Sequence, residues 1–445
     1  MAATDNYMPS GRRVRRISSI EATRADLFGG PSVVIPPQHL MAPSGAYESA
    51  RSMSVAKSHL DNDISSPETT PRGSTPSSDD SHITTSKYAF AFDIDGVLIR
   101  GGKAIPAAVE AMKVLNGENE FKEKVFTVLH SRPYIFVTNG GGKTEEERCI
   151  DLSKQLELEV SPGQFICGHT PMREMAEKYN TVLVVGGEGE KCRIVAEGYG
   201  FKDVVTPGDI IKYNQHTTPF RELTEEEFKN SRTRDFENVV IEAIFVFADS
   251  RDWAGDQQII LDLCMSQGGR IGTRSETFDE GPPVYFSHND IVWSTSHEHT
   301  RIGMGALRAS VEALFRAVTG KELKTIAFGK PQLGTFQFAT RLLRQWREET
   351  HGIDSAPDTV YFVGDTPESD IRGTNEYNAS DKCENDWYSI LVKTGVYEDG
   401  TTPRFPPNKT VNDVLDAVKF GMNREHLREM KEASMRNASV TVVDT

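Results

Sequence analysis

Two pairs of aspartates stand directly after apolar runs of the chain. Asp93 and Asp95 belong to the segment FDIDG, and Asp365 and Asp370 belong to VGDTPESD. Residues at i and i+2 that leave a strand point to the same side, so the first two carboxylates repel each other unless a cation or a shared proton intervenes. This spacing indicates a divalent cation site or acid–base chemistry.

Both acidic segments also have structural interpretations. FDIDG is compatible with an aspartate-rich turn, and the acids of VGDTPESD are compatible with helix capping. A calcium loop is excluded for the first segment, because Val97, Leu98 and Ile99 supply no side-chain oxygen ligands. The choice between a turn and a reactive site therefore depends on what the rest of the chain provides.

A third candidate segment follows the apolar run Tyr134–Val137, which ends at Thr138, Asn139 and Gly140. A strand end of this kind offers a hydroxyl and free backbone N–H groups, which suit a phosphate. The nearby sequence GKT imitates the end of a nucleotide-binding loop, but the position that requires the first glycine of that loop is Val137. We therefore expect a phosphate site without a nucleotide loop.

The elements that position these residues alternate between strands and amphipathic helices from Tyr88 onward. This alternation predicts an α/β fold with a parallel sheet covered by helices on both faces. Parallel sheets bind ligands at the carboxyl ends of their strands, where the acidic segments stand. The predicted strands are Tyr88–Phe92, Tyr134–Val137, Val182–Val185, Ala243–Phe247, Val360–Val363 and Ser389–Val392.

Composition narrows the class of protein. The 445 residues allow two or three domains, and a formal charge of -15 makes a nucleic-acid partner unfavourable. Five scattered cysteines form no C-x-x-C pair, which indicates a reducing compartment. No apolar stretch approaches the roughly 18 residues that a transmembrane helix needs.

The first 87 residues are rich in Ser, Thr and Pro and poor in apolar periodicity, so we expect them to be disordered. Five arginines near the start are typical of an organelle transit peptide. The alternative is a phosphorylatable cytoplasmic tail around Arg15-Arg16-Ile17-Ser18. The sequence leaves both open.

The order strand-DxD, strand-TN, Gly-Lys-Pro, strand-GDxxxxD, together with IDGVL and VTNGGG, resembles the haloacid dehalogenase superfamily of phosphohydrolases. The likeness extends from Tyr88 to about Leu415. It implies a Rossmann-like core with an inserted α/β cap of the C2 type. It also implies that Lys330, which alone would be taken for a surface charge, belongs to the site.

Site roles follow from this resemblance. It implies that Asp93 is the nucleophile that forms an aspartyl-phosphate and that Asp95 is the general acid and base. Thr138 and Lys330 would hold the transferring phosphoryl oxygens, helped by the backbone of Asn139 and Gly140. The implied cofactor is Mg²⁺, and its implied ligands are Asp93, Asp95 and Asp365. Asp370, at the second acidic position of the motif, would complete the metal site from close behind these ligands.

About 190 residues separate Thr138 from Lys330, which leaves room for the cap. This arrangement resembles subfamily IIA, with NagD-like and phosphoglycolate-phosphatase-like caps. The segment VVGGEGEKCRIVAEGYGF is similar to the cat-eye-syndrome critical-region hydrolase family, whose members are associated with mitochondria. In the cap, we expect His288 and Asn289 to face the substrate, although a capped turn is an equal alternative. A homodimer paired through the cap is possible.

The predicted organisation is a disordered region at 1–87, core at 88–162 and 309–430, an inserted cap at 163–308 and a tail at 431–445. The predicted function is Mg²⁺-dependent phosphate release from a small phosphorylated metabolite. Two alternatives stay open. One is a mitochondrial phosphatase linked to glycerophospholipid metabolism, and the other is a catalytically retired binding protein.

Overall fold

A computed structural model describes residues 87–117 and 132–440 of the chain. The predictions about the Ser/Thr/Pro-rich start, its disorder and its targeting role therefore concern residues that lie outside the described part, apart from Lys87. Within the described ranges, no helix combines the length and the apolar character that crossing a membrane would require.

The chain forms its elements in three stretches. The first contains β1 (Tyr88–Phe92), β2 (Ile99–Arg100), β3 (Lys103–Ala104), α1 (Pro106–Leu115), β4 (Tyr134–Val137), α2 (Glu145–Leu156) and β5 (Phe165–Ile166). The second contains β6 (Thr181–Val185), α3 (Lys191–Gly198), β7 (Asp203–Val205), α4 (Pro207–Tyr213), α5 (Glu225–Asn230), β8 (Ala243–Val246), α6 (Trp253–Cys264), β9 (Val284–Phe286), β10 (Val292–Trp293), β11 (Arg301–Ile302), α7 (Met304–Thr319) and β12 (Thr325–Ala327). The third contains α8 (Leu333–His351), β13 (Thr359–Gly364), α9 (Arg372–Asn378), β14 (Asp386–Val392), β15 (Lys409–Val411) and α10 (Val414–Val440).

The first sheet is parallel throughout and has the strand order β15-β14-β13-β1-β4-β5. Its central strand β1 alternates large and small apolar residues. Phe90 and Phe92 pack towards α1, α2 and α10, whereas Ala89 and Ala91 pack towards α8. Both faces are buried because successive side chains of a strand point to opposite sides. The strands β13, β1 and β4 are neighbours, so their carboxyl ends meet at one edge.

The second sheet is also parallel and has the order β12-β9-β8-β6-β7. One face packs on α6 and α7 through residues such as Val185 and Val246. The other face packs on α3 through Val184 and Phe245. Two short antiparallel hairpins, β2-β3 and β10-β11, stand apart from the sheets.

The six predicted strands are confirmed, with ends that differ by at most three residues. The α/β fold with helices on both faces of a parallel sheet is confirmed as well. The predicted insertion ends at residue 308, yet α7 packs on the second sheet and β12 pairs with it up to Ala327. At the other end, α10 continues through Val440 rather than stopping at residue 430.

Candidate active site

The carboxyl end of β1 places Asp93 beside a buried lysine. The backbone N–H of Asp93 donates to the carbonyl of Val363 (2.9 Å), which fixes the end of β1 to β13. Lys330 Nζ lies 2.6 Å from Asp93 Oδ1 and 2.8 Å from Asp370 Oδ1. The lysine is only 1% exposed, so it is an internal cation that bridges two acids. Burial lowers the pKa of Lys330, but Asp370 and Asp93 more than offset that effect and the pKa is raised overall.

Asp365 and Asp370 complete the acidic group from the end of β13. Asp370 Oδ2 accepts the backbone N–H groups of Asp365 and Thr366, each at 3.0 Å, so the turn after the strand holds this carboxylate in place. Asp365 Oδ2 accepts the N–H of Val396 at 2.7 Å. Gly96 approaches the same carboxylate so closely that a Cβ on it would lie 2.3 Å from Asp365 Oδ2, at a φ of +87°. Glycine is therefore required behind the DxD segment.

The carboxylates of Asp93, Asp365 and Asp370 form one buried group, in which an oxygen of each lies within 4.8 Å of the others. Three acids face the single ammonium of Lys330. Burial, with the neighbouring acids, raises the pKa of Asp365 to about 7 and raises that of Asp93 well above its usual range. A cluster of carboxylate oxygens with too little positive charge fits a hard divalent cation such as Mg²⁺. The carboxylate of Asp95 lies outside this group of three.

Thr138, Gly140 and Asp95 lie beside the group, at the end of β4. The buried Thr138 uses its hydroxyl to accept the N–H of Gly140 at 3.0 Å. A Cβ placed on Gly140 would lie 3.3 Å from Thr138 Oγ1 and 3.4 Å from Asp95 Oδ2. Burial raises the pKa of Asp95, with opposing contributions from Arg148 and Lys330. A raised pKa suits a group that has to donate a proton near neutral pH.

The side chain of Asn139 links three segments of the chain by hydrogen bonds. Its Oδ1 accepts the N–H of Lys330 at 2.8 Å, and its Nδ2 donates to the Lys330 carbonyl at 3.1 Å and to Asp290 Oδ2 at 2.8 Å. Gly329 has a φ of +71°, and a Cβ there would lie 2.7 Å from Asn139 Oδ1. The side chain of Asn139 thus positions Lys330. Only the backbone of Asn139 remains to bind a ligand.

The two residues that we expected to face the substrate from the cap point to different neighbours. His288 is buried, and its Nδ1 lies 3.6 Å from Asp290 Oδ2 at the edge of the site. Asn289 Oδ1 accepts Arg308 Nη1 from α7 at 3.0 Å. His288 therefore lies beside Asp290 at the edge of the site. The amide of Asn289 is instead bonded to Arg308 of α7, a helix that packs on the second sheet.

Known proteins share this chain's pattern. A family model described as haloacid dehalogenase-like hydrolase matches residues 90–202, and one described as HAD-hydrolase-like matches residues 327–417. A mitochondrial hydrolase of Saccharomyces cerevisiae is 38% identical over 358 residues, which cover 75% of this chain and 95% of the yeast protein. The chain belongs to the haloacid dehalogenase-like hydrolases. The resemblance inferred from the four motifs is confirmed.

Two further relatives place this hydrolase in context. A fusion protein of cardiolipin synthase (CMP-forming) and mitochondrial hydrolase from Schizosaccharomyces pombe is 36% identical over 337 residues, or 75% of this hydrolase. The chain spans 53% of that relative, so about half of the fusion protein has no counterpart in the alignment. A solved p-nitrophenyl phosphatase from Archaeoglobus fulgidus is 18% identical, with a TM-score of 0.46 and coverage of 75% of the hydrolase and 98% of that chain.

Sequence reasoning missed two charged residues of the hydrolase site. Asp290 reaches Asn139 from the loop after β9, and Arg148 reaches Gly140 from α2. Arg148 has the appearance of a surface charge on a polar helix, and Asp290 has that of a turn residue. Neither stands at the end of a core strand, so no motif or spacing singled them out.

Proposed function

We propose that this hydrolase is a phosphatase that releases phosphate from a small phosphorylated metabolite through an aspartyl-phosphate on Asp93. The observation that carries the proposal is the pairing of Asp93 with the buried Lys330 inside a group of three carboxylates. A purely structural ion pair has no need of two further acids, because each one adds repulsion and a desolvation cost.

In the first half of the proposed reaction, Asp93 attacks the phosphorus atom of the ester. The new bond joins an Asp93 carboxylate oxygen to phosphorus, and the bond from phosphorus to the leaving oxygen breaks. Asp95 gives its proton to that oxygen, so the product leaves as a neutral alcohol. Lys330 and the hydroxyl of Thr138 hold the equatorial phosphoryl oxygens, with the backbone N–H of Gly140 beside them.

In the second half, Asp95 is ionised and removes a proton from water. The water oxygen attacks phosphorus, the bond to Asp93 breaks, and inorganic phosphate leaves. The same carboxyl group therefore acts first as acid and then as base, and it ends the cycle protonated. Its raised pKa keeps the acid form available before each turnover.

Asp93, Asp365 and Asp370 are the side chains that would hold Mg²⁺, and the backbone carbonyl of Asp95 would add a further oxygen. When bound, the ion would offset the negative charge shared by the carboxylates and the phosphoryl group. We propose Asp370 for the outer position, because both its oxygens are already engaged, one by Lys330 and one by two backbone N–H groups.

The second sheet is proposed to act as the cap that closes over the phosphate and selects the leaving group. A mitochondrial location is supported by the names of the two fungal relatives. The fusion to cardiolipin synthase in one of them favours a second candidate, a phosphatase of glycerophospholipid metabolism. A homodimer paired through the cap is a further proposal that size-exclusion chromatography with light scattering would check.

The deciding experiment compares the wild type with Asp93→Asn. Phosphate release is measured from p-nitrophenyl phosphate and from a panel that includes glycerol phosphates and phosphorylated glycerolipids, with Mg²⁺ or with EDTA. We expect Mg²⁺-dependent release that the substitution lowers at least about a thousandfold, because the nucleophile is lost. Asp151→Asn, on the outer part of α2, is the matched control and should retain activity.

A wild type that binds Mg²⁺ but releases no phosphate from any compound would contradict the proposal and favour a binding role. Activity that survives in Asp93→Asn would contradict the assignment of the nucleophile. Ranking the panel separates small metabolites from glycerolipids as the substrate class.

A further inference from the structure

Three polar groups converge on one point above Gly140. A Cβ built on this glycine would lie 2.8 Å from Arg148 Nη2, 3.3 Å from Thr138 Oγ1 and 3.4 Å from Asp95 Oδ2. Two of these groups belong to the proposed reaction, since Thr138 holds the phosphoryl group and Asp95 protonates the leaving oxygen. The guanidinium of Arg148 therefore lies beside the position of the bond between phosphorus and the leaving oxygen in the proposed reaction.

The guanidinium of Arg148 is uncommitted within the described part of the hydrolase. Its Nε is buried and has no hydrogen-bond partner there. The other cation that acts on Asp95 is Lys330, which is paired with Asp93 and Asp370 and belongs to the phosphoryl site. The charged groups that act on Asp95 also include Asp249 and Asp290 from the second sheet, of which Asp290 is bonded to Asn139. Among the described residues near Gly140, Arg148 is thus a cation whose N–H donors are available to a ligand.

A partly buried guanidinium without a partner is costly, and an oxyanion is the ligand that its forked donors fit best. The transferring phosphoryl oxygens already have Lys330, Thr138 and the backbone of the strand end. A ligand for Arg148 must therefore come from elsewhere in the substrate, on the side of Asp95. A neutral leaving group would leave the guanidinium unpaired once the site closes.

We propose that Arg148 is a specificity-determining residue that binds a second oxyanion, a carboxylate or a second phosphate, carried by the leaving group. The inference rests on the proposed phosphatase function and names its substrate class. The substrate of this hydrolase is then a phosphate ester with two acidic groups, and its product is an organic acid or a phosphorylated alcohol.

Matched ester pairs test the proposal. One pair is carboxyphenyl phosphate and its carboxamide analogue, prepared as the ortho, meta and para isomers, and the other is propanediol bisphosphate and propyl phosphate. The wild type, Arg148→Gln and Arg148→Lys are compared by kcat/KM on each compound. Lys154→Gln, which removes an exposed cation from the same helix, is the control.

We expect the wild type to have a higher kcat/KM on the doubly acidic member of a pair. Arg148→Gln should reduce that ratio of kcat/KM values about tenfold to a hundredfold, which corresponds to the free energy of a charged hydrogen bond. Activity on the neutral-tailed member should fall by less than activity on the doubly acidic member, because only the doubly acidic member loses an ion pair with Arg148. Arg148→Lys should recover part of the preference, because it keeps the charge without the fork. The carboxylate and phosphate pairs together identify which oxyanion is bound.

Two results would overturn the proposal. An equal loss on both members of every pair, with a shifted pH profile, would mean that Arg148 only positions Asp95 or the phosphoryl group. A wild type without preference in any pair would exclude a second anion site. Thermal unfolding of each variant verifies that it is folded. Loss of all turnover in the wild type is a failure of the proposed function, whereas turnover without discrimination is a failure of this inference alone.

Discussion

Two buried acidic sites in the described part of the hydrolase, one in each sheet region, are neutralised differently. In the second region, Asp209 is fully buried against Arg193, whose Nη1 and Nη2 donate to its two oxygens at 2.9 and 2.7 Å. The backbone N–H groups of Thr206 and Arg232 add further donors at 3.1 and 2.6 Å. In the core, Asp93 and Asp370 pair with the ammonium of Lys330. Asp365 lies in the same group, so one positive charge faces three acids.

The contrast separates a structural cluster from a reactive one. Asp209 has its hydrogen-bonding capacity filled by the protein itself, so the pair fixes the turn before α4. Carboxylates of the core cluster are short of positive charge, and burial keeps the pKa of Asp93 and Asp365 high. A buried charge whose hydrogen bonds and counter-charge come from the protein holds the fold together. A buried charge without enough counter-charge is available to bind a ligand.

Matched substitutions would sharpen this contrast most. We expect Asp209→Asn to lower the free energy of unfolding by about 3–5 kcal/mol, because it removes the fully buried carboxylate that pairs with the buried Arg193. Asp93→Asn should stay within about 1 kcal/mol of the wild type or become more stable, because it relieves repulsion at a functional site. Urea unfolding measures both. Equal destabilisation by the two substitutions would break the comparison.

Magnesium should act on one cluster only. At a hundredfold excess over its Kd, the ion should stabilise the wild type by about 2.7 kcal/mol. Asp365→Asn should lose most of this gain, because it removes one of the three oxygen donors. Asp209→Asn should keep the gain even though its starting stability is lower. Thermal unfolding with Mg²⁺ or EDTA measures the effect, and a full shift in Asp365→Asn would contradict the assigned ligands.

The stability of the metal-free protein should also depend on pH. Burial beside Asp370 raises the pKa of Asp365 to about 7, whereas an unfolded aspartate titrates near about 3.9. The folded carboxyl keeps its proton where the unfolded chain has lost it, so its contribution to stability falls as pH rises between these values. The unfolding free energy of the wild type minus that of Asp365→Asn should therefore decrease from about pH 4 to pH 7 in EDTA. A rise over this range would contradict the sign.

Much of the first sheet could be predicted from the amino-acid sequence. The apolar runs before Asp93, Thr138 and Asp365 are confirmed as strands β1, β4 and β13. Their long, uninterrupted apolar character identifies strands buried on both faces, and this signal is local. The short strand β12 was missed because three half-buried residues give too little periodicity, and its pairing with β9 involves residues 41 positions away in the chain.

The site was predictable only in part for the same reason. Asp93 and Asp365 stand at strand ends, where sheet order brings them together, but Arg148 comes from the face of a helix. Nothing in the segment EEERC distinguishes that arginine from a solvated charge. For Asn139 we expected a backbone contact with the phosphate, and no local pattern indicates that its side chain bonds the backbone of Lys330.

The sequence by itself determined which residues end the core strands and which chemistry they can perform, because strand patterning and the chemistry of each side chain are local properties. Tertiary structure alone decided which charges are balanced. Among the residues that the structure describes, contacts between separate segments decide whether Lys330 meets two acids and whether Asp209 meets two guanidinium donors. They also decide whether the Nε of Arg148 has a hydrogen-bond partner. Electrostatic balance is a property of distances in space, and folding sets those distances only when the packing is complete.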